Sequence, residues 1–159
     1  MLESKKWTSG SNRPFLFEDI LPIILDHIKS GSKVFIGSDS FISGGKVCFA
    51  STICLHGANL GGRYFFFKEY EESKRYTNLA SRITEEARRS IELAELLFVK
   101  YDIDPILIEV HLDVSPFSAK NGTSKFSDML RGYVNGYGFE CKVKPNAWAS
   151  QSVADKHSK

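Results

Sequence analysis

Apolar residues recur at helical spacing in four stretches of the chain and crowd into strand-like runs in five others. Residues 1–14 are polar, contain Gly10 and Pro14, and read as a loose lead-in. In FEDILPIILDHIKSG, Ile20, Ile23, Ile24 and Ile28 share one helical stripe, with Glu18 and Asp19 in the first turn and Gly31 at the end. Pro22 lies near the start, where a proline disturbs a helix least. KVFIGSDS (33–40) is a short apolar run bounded by glycine and serine, a buried strand ended by Asp39. ISGG turns the chain into KVCFASTICLH (46–56), and HGANLGG turns it again into RYFFFKEY (63–70). Both runs are rich in β-branched and aromatic residues, and the short glycine-bearing connections predict an antiparallel meander.

The period then changes. From Thr77 to about Lys100 the pattern is helical, PILIEVHLD (105–113) is a strand, and SKFSDMLRGYVNGYG (124–138) is a helix stopped by glycine. ECKVK (140–144) is a short strand, and Pro145 and Asn146 open a last helix. The order βββαβαβα behind an N-terminal helix predicts an α/β fold: a mixed five-stranded sheet flanked by helices. No repeat or linker divides the chain, so 1–159 is expected to form one domain, with 1–32 as an N-terminal extension. Sheets of this kind bind ligands beyond the carboxyl ends of their parallel strands, and Asp39 and Asp113 are both placed there.

Composition narrows the reading modestly. A chain of 159 residues, 42% of them hydrophobic, can bury one sizeable core. No apolar run is long enough to span a bilayer and the first residues lack a signal-peptide core, so a cytoplasmic protein with no membrane partner is expected. Cys48, Cys54 and Cys141 lie in apolar runs without metal-ligand spacing and read as reduced core residues. A net charge of +2 identifies no polyanion binder and excludes none.

The acidic residues carry the chemistry. Asp39 sits in an apolar strand, where a carboxylate is costly unless it is hydrogen-bonded or holds a cation; a simple turn-opening role is the alternative. Glu86 shares a helical stripe with Ile83, Ser90, Leu93 and Leu97 and faces the sheet, whereas Glu85 joins Arg82, Arg89 and Glu92 on a charged, solvated face. Strand alternation puts Glu109 and His111 on the face of Asp113, with His111 read either as a packing residue or as a substrate contact. Asp155 lies on the last helix beside Trp148, Gln151 and Ser152; alone it would read as surface. Two carboxylates ~4 Å apart repel by on the order of 4 kcal/mol at an effective dielectric near 20, so acids brought together call for an oxygen-preferring cation.

IGSDSFISGGKV, IEVHLDVSP, GTSK and KPNAWASQSVADKHSK resemble the YkuK-type family of the RNase-H-like superfamily, and the resemblance extends over roughly residues 17–159. The resemblance implies an RNase-H-like fold in which Asp39, Glu86, Asp113 and Asp155 hold two Mg²⁺ or Mn²⁺ ions. Phosphodiester hydrolysis by a two-metal mechanism would follow, Asp39 bridging the ions. Lys125 matches a lysine of the family's Thr-Lys segment, and with Ser40 and His111 it is expected to contact a nucleic-acid substrate: RNA, DNA or hybrid. Lys142, Lys144 and Lys156 read either as further phosphate contacts or as solvated surface. Two other functions stay open: a nucleic-acid-binding module with little activity, and a hydrolase of nucleotides or small phosphoesters. RYFFFKEY is either a core strand or an edge through which a homodimer could form.

Overall fold

The computed structural model describes residues 1–57, 61–114 and 123–159, giving the backbone alone at 61 and 123–125. The turn at 58–60, the segment after Val114 and the side chain of Lys125 lie outside the described residues.

Three antiparallel strands, β3 (Val34–Ser43), β4 (Lys46–Gly57) and β5 (Gly61–Glu72), form the expected meander. Beyond β3, β6 (Ile108–His111) and β7 (Glu140–Lys142) add in parallel, each reached through a helical crossover. Those five strands are joined by two more. β1 (Trp7–Ser9) and β2 (Pro14–Phe15) form a small antiparallel hairpin, and β1 pairs with β5 at Phe65 and Phe66. The sheet therefore has seven strands in the order β2-β1-β5-β4-β3-β6-β7, not five. The lead-in is ordered by Trp7, which is 1% exposed and packs edge-on against Phe67, with its indole N–H donating to Leu2 O. Two strands of three and two residues are too short to alternate legibly, which is why their pattern reads as loop.

α1 (Phe17–Lys29), α2 (Leu79–Glu95) and α3 (Thr123–Gly136) share one core with the sheet face bearing Ile36, Ile53, Phe65 and Phe67. Asn78 starts α2 by accepting the Ser81 N–H at 2.8 Å, and a π-helical turn, Leu96–Lys100, finishes it. The opposite face is covered by the end of the chain. There the expected last helix is a π-helical segment, Ala149–Ala154, continued by one α-helical turn, α4 (Asp155–Ser158). Among the described residues, no helix is long and apolar enough to cross a membrane.

Two expectations about faces are corrected. β3 does not end at Asp39 but runs on to Ser43, because its pairing with β4 continues to the Gly44-Gly45 turn. Arg89 is not solvated. It is 7% exposed, lies 4.2 Å over the Phe49 ring, and reaches Glu85 at 2.8 Å, Glu69 at 2.9 Å and Glu71 at 3.2 Å. Its partners on β5 come from another element, so helical spacing could not reveal them.

Candidate active site

The site begins where β3 and β6 part. Their parallel pairing ends with His111 opposite Gly37; two residues on from that pair stand Asp39, still within β3, and Asp113, just past the end of β6. Alternation points Asp39, like Gly37, toward the face covered by the last segment. Asp39 is buried, at 6% exposure. Burial, then a hydrogen bond with the Asp155 side chain and the charge of Asp113, push its carboxyl up to about 7, against some relief from the Ser40 backbone. Ser158 Oγ donates to Asp39 Oδ2 at 3.4 Å.

Glu86 enters from α2 on the other face, together with Ile83, Ser90, Leu93 and Leu97, all buried. It is itself 5% exposed, and Ser40 Oγ donates to its Oε2 at 2.5 Å. Burial first and the Asp39 charge second hold its carboxyl well above the ordinary range; the Ser40 hydrogen bond, a smaller influence, lowers it. One turn on, Ser90 donates to Ser38 at 2.9 Å, and Ser38 shares a 3.1 Å hydrogen bond with Ser51. Small hydroxyls thus let α2 lie close to β3 while satisfying one another.

The last segment is fixed at both ends of its length, at Trp148 and Ala149 and again at His157. A Cβ on Gly37 would lie 2.5 Å from the Ala149 carbonyl carbon, so only glycine lets the segment approach. His111 Nδ1 accepts the Ala149 N–H at 3.0 Å, which puts the ring proton on Nε2, facing Glu109 Oε1 at 2.9 Å. Trp148 packs against Phe35, and His157 stacks on Phe66 with ring centroids 3.7 Å apart while bonding the Tyr64 hydroxyl at 2.8 Å.

The sequence-derived residues therefore divide. Asp113 and Asp155 both act on the Asp39 carboxyl, and the charges of Asp39 and Asp113 both act on Glu86, so the structure brings the four acids together. Ser40 serves Glu86. His111, expected among the substrate contacts, is 0% exposed with both ring nitrogens engaged, so in this arrangement it positions the last segment. Lys125 lies outside the described side chains. Gly37 and Ser158 were missed, since their importance arises only when the chain end docks. Lys144, read as either phosphate contact or surface, lies with Nζ 3.0 Å from Asp113 Oδ1, and Lys159 lies 3.2 Å from Asp155 Oδ2.

The donor set suits a hard divalent cation: four carboxylates, two of them buried and unusually easy to protonate. Asp113 Oδ1 is a buried oxygen without a hydrogen-bond donor, the Lys144 approach being close in distance but outside hydrogen-bonding angles. The residues fit such an ion by chemistry. Among the described residues, however, no three His, Cys, Asp or Glu side chains stand together as a closed ligand set.

No curated protein and no solved structure matches the chain. The sequence model of the Ribonuclease H-like family matches residues 16–159, nearly the whole chain and every element that supplies an acid to the site. The chain belongs to the Ribonuclease H-like family.

Proposed function

We propose that this protein is a divalent-metal-dependent nuclease that hydrolyses phosphodiester bonds of RNA, DNA or a hybrid. The observation that carries the reading is Asp39 abreast of Asp113 at the divergence of β3 and β6, with Glu86 and Asp155 brought to it from opposite faces of the sheet. Isolated, such acids cost stability; a cation offsets that cost. Family membership supports nuclease chemistry at the same place.

Asp39, Glu86, Asp113 and Asp155 would hold two Mg²⁺ or Mn²⁺ ions. When bound, such ions supply an activated water and stabilise the charge of the leaving 3′-oxygen. The chain's own residues do the rest. β3 holds Asp39 in a rigid, paired strand, and Ser40 keeps one Glu86 oxygen oriented. Gly37 and His111 set how closely Asp155 approaches Asp39. Lys144 Nζ lies 3.0 Å from Asp113 Oδ1 and would be available to a substrate phosphate if Asp113 held a cation instead.

A second reading, a nucleic-acid-binding module of low activity, is favoured by one observation: Lys144 and Lys159 already neutralise two of the four acids. Cleavage assays with Mn²⁺ on an RNA–DNA hybrid, single strands and a branched duplex separate the two. Mn²⁺-dependent products abolished by Asp39→Asn support the nuclease. Tight binding without products supports the module, and turnover of mononucleotides alone would indicate a small-phosphoester hydrolase.

A further inference from the structure

The register of the meander leaves one part of the Asp39 face uncovered. Its rows run across β3, β4 and β5: Gly37, Thr52 and Phe66; then Asp39, Ala50 and Lys68; then Phe41, Cys48 and Tyr70. The first row lies under the last segment, where His157 stacks on Phe66. The third row lies open. Phe41 is 41% exposed and Tyr70 63%, their rings flanking the buried Cys48. Single exposed aromatics are ordinary on protein surfaces. Two in one row, separated by one strand and beside a row that holds both a site carboxylate and a lysine, form an ordered surface.

Lys68 is exposed and makes no ion pair among the described residues. Lys68 stands in the Asp39 row, two residues along β5 from Phe66, on which His157 of the last helix stacks. Successive same-face rows lie ~6.6 Å apart along a strand. That spacing allows a ring-stacked base in the third row to leave its phosphate over the second. Paired bases in a duplex hide their faces, so exposed rings on a sheet select bases that are unpaired.

We propose that Phe41, Tyr70 and Lys68 form a platform for single-stranded nucleic acid, stacking bases on the two rings and leading the backbone past Lys68 to Asp39. This rests on the nuclease reading for its direction toward the acids, but the platform itself binds without metal or cleavage.

The test is fluorescence anisotropy of a labelled oligothymidylate and of a labelled hairpin duplex, in EDTA, with the full chain. The single strand binds more tightly than the duplex. Phe41→Ala and Tyr70→Ala each weaken it by roughly 5- to 100-fold, as removal of a stacking ring does. Tyr70→Phe, which keeps the ring, retains binding, and Lys68→Ala lowers the dependence of log affinity on log salt by about 0.7. Both rings are exposed, so the alanine variants keep the wild-type melting temperature. Equal affinity for duplex and single strand would overturn the proposal, as would alanine variants that bind like wild type. So would loss of self-association in sedimentation with nucleic-acid affinity unchanged, which marks the row as a subunit contact. Because the assay excludes metal, absent nuclease activity leaves its result readable.

Discussion

Gly37 lies against the backbone of Ala149, with no room for even a methyl group between strand and chain end. That contact fixes how far Asp155 stands from Asp39. Gly37→Ala must push the segment out or strain β3, a form of overpacking that costs about 1–3 kcal/mol. Thermal unfolding should show the loss. Hydrogen exchange should locate it in residues 149–158, with activity falling more than a uniform destabilisation explains.

Asp39 makes stability depend on pH in an unusual direction. A carboxylate whose folded value is raised favours the protonated native state. Its contribution is fully present below the ordinary value of 3.8 and is lost as pH rises through about 7. The displacement corresponds to on the order of 4 kcal/mol, and buried Glu86 acts in the same sense. Metal-free protein should therefore unfold at lower urea concentration at about pH 8 than at about pH 5. Asp39→Asn, which cannot ionise, should flatten the difference and stabilise the protein at the higher pH. A wild-type urea midpoint that rises over this range would contradict the assignment.

Ser40 is the hydroxyl that satisfies buried Glu86. Ser40→Ala leaves that carboxylate without its donor, at a cost of about 1–3 kcal/mol, and raises its proton affinity further. Metal affinity measured against pH should shift its midpoint upward, and Ser40→Thr should restore it.

Arg89 holds three carboxylates from α2 and β5 while covering Phe49. Removing one partner of a buried ionic cluster costs about 3–5 kcal/mol. Chemical denaturation of Arg89→Ala should show a loss of this order. Arg88→Ala, whose side chain is half exposed and pairs with Glu85 and Glu92, should lose less than about 1 kcal/mol, as surface ion pairs do.

Much of this arrangement is legible in the chain itself. Asp39 and Asp113 stand out because each is a charge at or near the end of an apolar run, where burial is implied. Glu86 is separated from Glu85 by its stripe, and Ile83, Ser90, Leu93 and Leu97 of that stripe are all buried. What the pattern hides depends on elements distant in sequence. Arg89 looks solvated until Glu69 and Glu71 arrive from β5. Trp7 anchors two strands too short to alternate, through contacts with Phe17 and Phe67. His111 was open between packing and substrate contact, and its placement follows from an amide of Ala149 that only the docked chain end brings near.

The central claim is that the four acids form one cation site organised by Asp39. Calorimetric titration of Mn²⁺ into wild type and Asp39→Asn tests it most directly. The account predicts saturable binding by the wild-type protein that weakens as pH falls below about 7, and its loss in Asp39→Asn. Wild-type protein that binds no Mn²⁺ at millimolar concentration, or a variant that binds it equally well, would contradict the claim.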